Sequence, residues 1–311
     1  MRKLPGLGRI RRLWIIGLAA AGLVFIGYTL TSQSVTIGPL RVARPGMLWT
    51  GLVVHLLFWM LVTHFWSRVV FIVAGVRIPY RDSFFQLALV AVGKYLPGKI
   101  WGFVARGAAL RREKMAAADI IAASVLEQWI MLMSAVLWVG LLLPILHGHD
   151  LGFLLAFFAI TLTLVSRYLY RYGAQALQTL LARVQNSAPL NLVSTPGVVD
   201  YWTLIGIHSL MWVLATGVLV AVCAGFSIHP LSGNFLVALL LANTLGIVVG
   251  FAALFAPGGI GVREAVTTFV LLPYLPLERA VALSVLLRLW SVAGDALLAM
   301  ALVISSFRAR H

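Results

Sequence analysis

The chain is 311 residues long, 61% apolar and only 11% charged, with a formal net charge of +15. Soluble domains run at roughly 45–50% apolar and about 25% charged residues, and no stretch here is polar and long enough to fold apart as a catalytic unit of on the order of 100 residues. The basic residues are scattered at the ends of apolar runs, which sets a nucleic-acid partner aside, and the single cysteine, Cys223, can form no internal disulfide.

Apolar runs of about 20 residues reach across a hydrocarbon core of ~30 Å. The first, 13–31, follows Arg2, Lys3, Arg9, Arg11 and Arg12. It is too long for a signal-peptide core of about 7–15 residues and ends in a poor cleavage site, so it reads as a retained span. A second span covers 47–73. An interrupted segment follows over 83–110, broken at Pro97-Gly98. Spans at 117–146 and 151–170 come next, then an amphipathic stretch over 173–184. That stretch is expected to lie on the membrane surface with Leu177, Leu180 and Leu181 inward. A span at 199–226 leads to a second interrupted segment, 231–272, broken at Pro257-Gly258-Gly259, and 277–307 closes the chain.

The two breaks fall at an offset of 160 residues. Pro97, Gly98 and Ile100 align with Pro257, Gly258 and Ile260, and Ser124-Val125-Leu126 aligns with Ser284-Val285-Leu286 without a gap. Three full crossings separate the breaks, so the two units run in opposite orientation, the inverted-repeat plan of many transporters. The expected fold is therefore an all-α polytopic membrane protein forming a single membrane domain over 1–311. It has about six full spans plus two re-entrant broken-helix hairpins in an inverted-topology repeat. Unit 1 covers 47–146, unit 2 covers 199–307, and 151–184 connects them. The arm 231–256 is long enough to cross fully, so an eight-span arrangement with kinked helices is the alternative.

With each interrupted segment treated as a hairpin, the N-terminus, Arg77/Arg81, Arg106/Arg111/Arg112/Lys114, Arg167/Arg171/Arg183 and Arg308/Arg310 share one side. Only Arg41, Arg44 and Arg279 fall on the other. The crowded side is the cytoplasmic one, and both termini lie there.

Each break has a physical rationale. Proline removes a backbone donor, and glycine permits an unusual turn. The freed groups are tolerated at membrane depth only against protein or a wet cavity. Each break also opens a helix N-terminus, which favours an anion. Lys94, Lys99 and Arg106 flank the first, and Arg263 and Glu264 follow Gly258, Gly259 and Gly261 at the second. A phosphate or phosphodiester headgroup is the natural guest. The plain alternative is that these cations snorkel to the interface.

In the last span Ser284, Arg288, Ser291 and Asp295 are spaced four, three and four apart, on one helical stripe. A central arginine costs at least ~2.5 kcal/mol unless it is paired or hydrated. Asp295 lies two turns from Arg288, so each should have another partner. Glu127 sits at nearly the corresponding depth in 117–146, and Glu127 and Arg288 are expected to line one shared polar cavity. A purely structural ion pair is the alternative. Glu264 reads equally as a counter-charge to Arg263 or as a proton-coupled carboxylate. His55, His64 and His208 lack companions at ligand spacing, so packing is their expected role and no metal is expected. No nucleotide loop is present, and no cofactor is expected.

The segment Val92-Gly93-Lys94-Tyr95-Leu96-Pro97-Gly98-Lys99-Ile100-Trp101-Gly102, followed by Arg106, resembles the first signature of the lysylphosphatidylglycerol synthase transmembrane-region family. Ser124-Val125-Leu126-Glu127 is similar to its next block, with Gln128 where an arginine is usual. Ala256-Pro257-Gly258-Gly259-Ile260-Gly261-Val262-Arg263-Glu264 resembles the second Pro-Gly signature, and Leu287-Arg288-Leu289 the later arginine block. The resemblance covers about 47–306. In full-length multiple peptide resistance factors such a membrane domain is joined to a soluble aminoacyl-lipid synthase domain and is associated with flipping the lipid product.

The soluble domain is not found in this sequence, so the resemblance implies lipid movement without aminoacyl transfer. The expected protein is a lipid transporter or flippase of the bacterial inner membrane, not an enzyme. Its substrate would be an anionic phospholipid or a polyprenyl-phosphate-linked precursor, and a glycosyltransferase or lipid-modifying enzyme is a candidate partner. The rivals are a membrane enzyme acting on a lipid phosphate, against which stands the lack of a His/Asp pair or acidic cluster at the breaks, and a non-catalytic partner in polysaccharide export.

Overall fold

The protein is described by a computed structural model over residues 42–96, 101–110, 115–147, 150–185, 195–228, 231–253 and 256–308. The first expected span, 13–31, and Pro97, Gly98 and Lys99 lie outside the described residues. Among those described the secondary structure is helical, with no strand. The helices are α1 (Pro45–Ala74), α2 (Tyr80–Gly93), α3 (Trp101–Leu110), α4 (Ala117–His147), α5 (Asp150–Gln185), α6 (Val198–Gly225), α7 (Gly233–Ala252), α8 (Val262–Leu271) and α9 (Leu277–Arg308). A short 3₁₀ turn, Pro257–Gly259, lies between α7 and α8.

Six of these are long and apolar enough to cross a membrane: α1, α4, α5, α6, α7 and α9. The chain is thus an integral, polytopic membrane protein. Most ends follow simple chemistry. Pro45 opens α1, where its missing N–H is no loss, and Gly75 closes it in the left-handed conformation, its N–H bonded to the Phe71 carbonyl. Ser232 caps α7 through its hydroxyl.

One element differs from expectation, and a second has the length weighed in the alternative, an arm long enough to cross fully. The stretch 173–184 is no separate surface helix: α5 runs unbroken from Asp150 to Gln185. A lone glycine, Gly173, costs only about 1 kcal/mol in a helix, and the residues around it are good helix formers. The second interrupted segment is also asymmetric. α7 has 20 residues, about 30 Å of helix, so this arm has the length of a full span. α2 and α3, with 14 and 10 residues, are each too short to cross.

α1 packs along α6, α4 along α5, and α4 on α7; α9 lies between α2 and α8. One apolar core joins α1, α4 and α6 around Phe65, Trp66, Leu126 and Tyr201. A second joins α6, α7 and α9 around Phe235, Leu239 and Leu283. The two short helices meet closely: a methyl group on Gly93 would collide with the backbone of Gly102, so a pair of glycines lets α2 and α3 fold back on each other.

Candidate functional site

The chain just ahead of the first break touches the second break in space, though the two lie far apart in sequence. The Gly258 N–H donates to the Lys94 carbonyl at 2.8 Å. Gly258 has φ +59°, and Gly259 and Gly261 are also positive, at +75° and +78°. The glycine-rich run after Pro257 is what a left-handed path requires. Space adds to this: a Cβ on Gly258 would lie 2.8 Å from Arg288 Nη2 and 3.0 Å from the Tyr95 ring.

Around this contact the stripe of α9 meets Lys94, Tyr95 and Gly258. Arg288 Nη2 donates to the Gly258 carbonyl at 2.8 Å, and its Nε lies 3.4 Å from Glu264 Oε1. Two turns further on, Lys94 Nζ pairs with Asp295 at 2.7 Å, and the Tyr95 hydroxyl donates to the same carboxylate at 2.5 Å. Arg288 and Asp295 therefore do have separate partners. Arg288 is buried, its side chain 2% exposed. Its Nε and Nη1, and both oxygens of Glu264, make no hydrogen bond among the described residues.

These groups open into a cavity of about 290 Å³. Lys94, Arg263 and Arg288 face Glu264 and Asp295 there, a formal excess of one positive charge. Ser284 and Ser291 line it too, so all four members of the α9 stripe do. Both serine hydroxyls are tied to backbone carbonyls of their own helix. Among the described residues the ion pair of Glu264 is with Arg288, on another helix. Apolar and aromatic side chains such as Phe58, Trp59 and Leu287 complete the walls.

The expected shared cavity of Glu127 and Arg288 is not formed. Glu127 belongs to a second cluster, where both its oxygens accept from Arg106, at 3.1 and 2.6 Å. Arg106 also donates to Ser124 at 3.1 Å, and its guanidinium lies 3.6 Å over the Trp66 ring. Gln128 adds a bond to Glu127 at 3.3 Å. The physical reason is reach: the pairing partner comes from α3, packed on α4, so the Glu127 carboxylate is consumed before it can face α9. Arg106 is 2% exposed and does not snorkel.

Two cavity residues, and Tyr95 beside them, were invisible to helical spacing alone. His55 on α1 accepts from Trp290 Nε1 at 3.0 Å, so it is a wall of the cavity as well as a packing residue. Asn243 on α7 lines it, bonded to Thr216 at 3.2 Å. Tyr95 carries the signal that was available, its place beside Lys94 just ahead of Pro97. His208 packs as expected, against Phe65 and Trp212, with its Nδ1 2.9 Å from the Ser134 hydroxyl.

Fold and site define a class: a polytopic all-α membrane protein with a charged cavity enclosed by its helices. The family model of the lysylphosphatidylglycerol synthase TM region matches residues 14–299, and the chain belongs to that family. No curated protein matches it.

Proposed function

We propose that this protein moves an anionic lipid, a phospholipid or a polyprenyl-phosphate-linked precursor, across the membrane by passing its headgroup through the cavity between the two breaks. The tails stay in the bilayer. The observation that carries this reading is Arg288: a buried guanidinium lining a cavity that has one excess positive charge among the described residues, its Nε and Nη1 without a hydrogen bond among those residues. A charge at the bilayer centre is expensive and marks an ion or substrate pathway by default. A phosphate offers the acceptors such a guanidinium lacks.

The movement follows from two inverted units rocking about the contact between Lys94 and Gly258. In this reading α2–α3 and α7–α8 are corresponding broken arms, the first entering from the cytoplasmic side and the second from outside. α4 packs on α7 as α9 packs on α2, the reciprocal exchange that a pseudo-two-fold relation calls for. The protein acts as a carrier in the bacterial cytoplasmic membrane and makes or breaks no bond of the lipid.

Proteoliposomes carrying fluorescent phosphatidylglycerol or phosphatidylcholine test the proposal. Protein-dependent equilibration of the anionic lipid, slower for the zwitterionic one, is the expected result. Vesicles in which no anionic lipid, polyprenyl phosphates included, crosses faster than in protein-free controls would remove its basis.

A further inference from the structure

On the far face of α7 lies a second hollow, of about 1000 Å³, between α3, α4 and α7. That is the upper end of the roughly 300–1,000 Å³ usual for ligand pockets. Its walls are apolar, among them Phe103, Gly107, Ile121, Val125, Leu132 and Val248. The two polar side chains that reach it, Ser124 and Gln128, are bonded to Arg106 and Glu127, so it presents no charge to a headgroup. Val104 and Ile121 are each 57% exposed, which makes the hollow a groove open to lipid.

The last turns of α7 form the wall between groove and cavity. Ile247 and Gly250 line the cavity, Val248 and Ala252 line the groove, and Phe251 lines both. α7 ends at Ala252. A molecule lying across that helix end touches a charged compartment on one side and an apolar one on the other.

We infer that the groove holds an acyl chain of the lipid whose headgroup occupies the cavity, with Phe251 at the crossing between them. This rests on the headgroup reading above and adds that the ligand is gripped at both ends. In a bilayer an apolar groove gains nothing by the hydrophobic effect over surrounding lipid. A chain is retained there because its headgroup, fixed nearby, raises its local concentration. Selectivity for the chain therefore exists only for lipids that the cavity also binds.

Two probes separate the ends: dioleoyl- and dihexanoyl-phosphatidylglycerol, titrated against the full chain in detergent by native mass spectrometry. Val248→Trp and, independently, Ala108→Leu fill the groove. Each is expected to weaken dioleoyl binding about tenfold while leaving dihexanoyl binding at the wild-type value. Arg288→Gln is expected to weaken both. An unchanged ratio of the two affinities in both groove variants overturns the inference and leaves the headgroup reading standing. Loss of both probes from the wild-type protein overturns both.

The wild-type protein offers a check that needs no groove variant to fold, because Trp129 lines the groove. In phosphatidylcholine vesicles, a small fraction of phosphatidylglycerol brominated on its chain should quench the fluorescence component that Trp129→Phe removes. Equal quenching by brominated phosphatidylcholine at the same fraction would mean ordinary annular lipid and would contradict the inference.

Discussion

Two buried arginine–glutamate pairs, one in each half of the chain, use the same chemistry to different ends. Arg106 meets Glu127 through two charge-assisted bonds, adds a third to Ser124 and stacks on Trp66; among the described residues only its Nε is without a hydrogen-bond partner. Arg288, which lines a cavity, stands 3.4 Å from Glu264, gives one bond to the Gly258 carbonyl, and leaves Nε and Nη1 without a hydrogen bond among the described residues. Burial of charge is common to both, so burial alone does not mark a site. What separates them is satisfaction: among the described residues the first pair is closed on itself, and the second leaves two donors unpaired in a residue that lines a cavity.

The largest effect expected from this contrast is on stability at the closed pair. Arg106→Ala leaves Glu127 uncompensated and should cost about 3–5 kcal/mol, seen as a lower thermal transition in detergent and poor yield. The double variant Arg106→Met/Glu127→Leu removes both charges and should recover most of that stability. If the double variant is as unstable as the single one, the closed pair is doing more than filling space.

The second effect is functional. Arg288→Gln removes charge-assisted bonds worth about 1.5–3 kcal/mol each. It should lower binding of dihexanoyl-phosphatidylglycerol about 10–100-fold, read by titration, with a smaller loss of thermal stability than Arg106→Ala. A variant that binds the lipid normally would equate the two pairs and break the comparison.

Two smaller changes probe the contact between the breaks. Gly258→Ala puts a side chain at φ +59° and into contact with Arg288 and Tyr95. The conformation alone should cost about 1–2 kcal/mol, and lipid movement should slow in step with the displacement of Arg288. Tyr95→Phe deletes the hydroxyl bond to Asp295. About 0.5–1.5 kcal/mol of stability should go with it, with Lys94 still pairing and lipid movement reduced only a few-fold in the vesicle assay.

The spans were legible in the sequence because hydropathy runs record the bilayer's thickness directly. Expected and observed ends differ by only a few residues for α1, α4, α6 and α9. The α9 stripe was legible too, since its 4-3-4 spacing inside an apolar span admits one helical face, and all four residues line the cavity. Partner choice was not legible. Lys94, just past the end of α2, and Asp295, on α9, lie far apart in the chain, and the depth argument that joined Glu127 to Arg288 took no account of α3 bringing Arg106 to Glu127. His55 and Asn243 were missed because neither has a charged neighbour at helical spacing; the fold alone gathers them. The unbroken α5 shows the converse, a polar shift mistaken for a helix end where nothing in the backbone forbids continuation.

The central claim is that the cavity of Arg288, and not the cluster of Arg106, carries the lipid headgroup. The most direct measurement is the rate of phosphatidylglycerol movement in proteoliposomes for Arg106→Met/Glu127→Leu and for Arg288→Gln, at matched amounts of folded protein. The account predicts near wild-type movement for the first and about a 10–100-fold loss for the second. Equal loss in both, or loss confined to the Arg106/Glu127 variant, would contradict it.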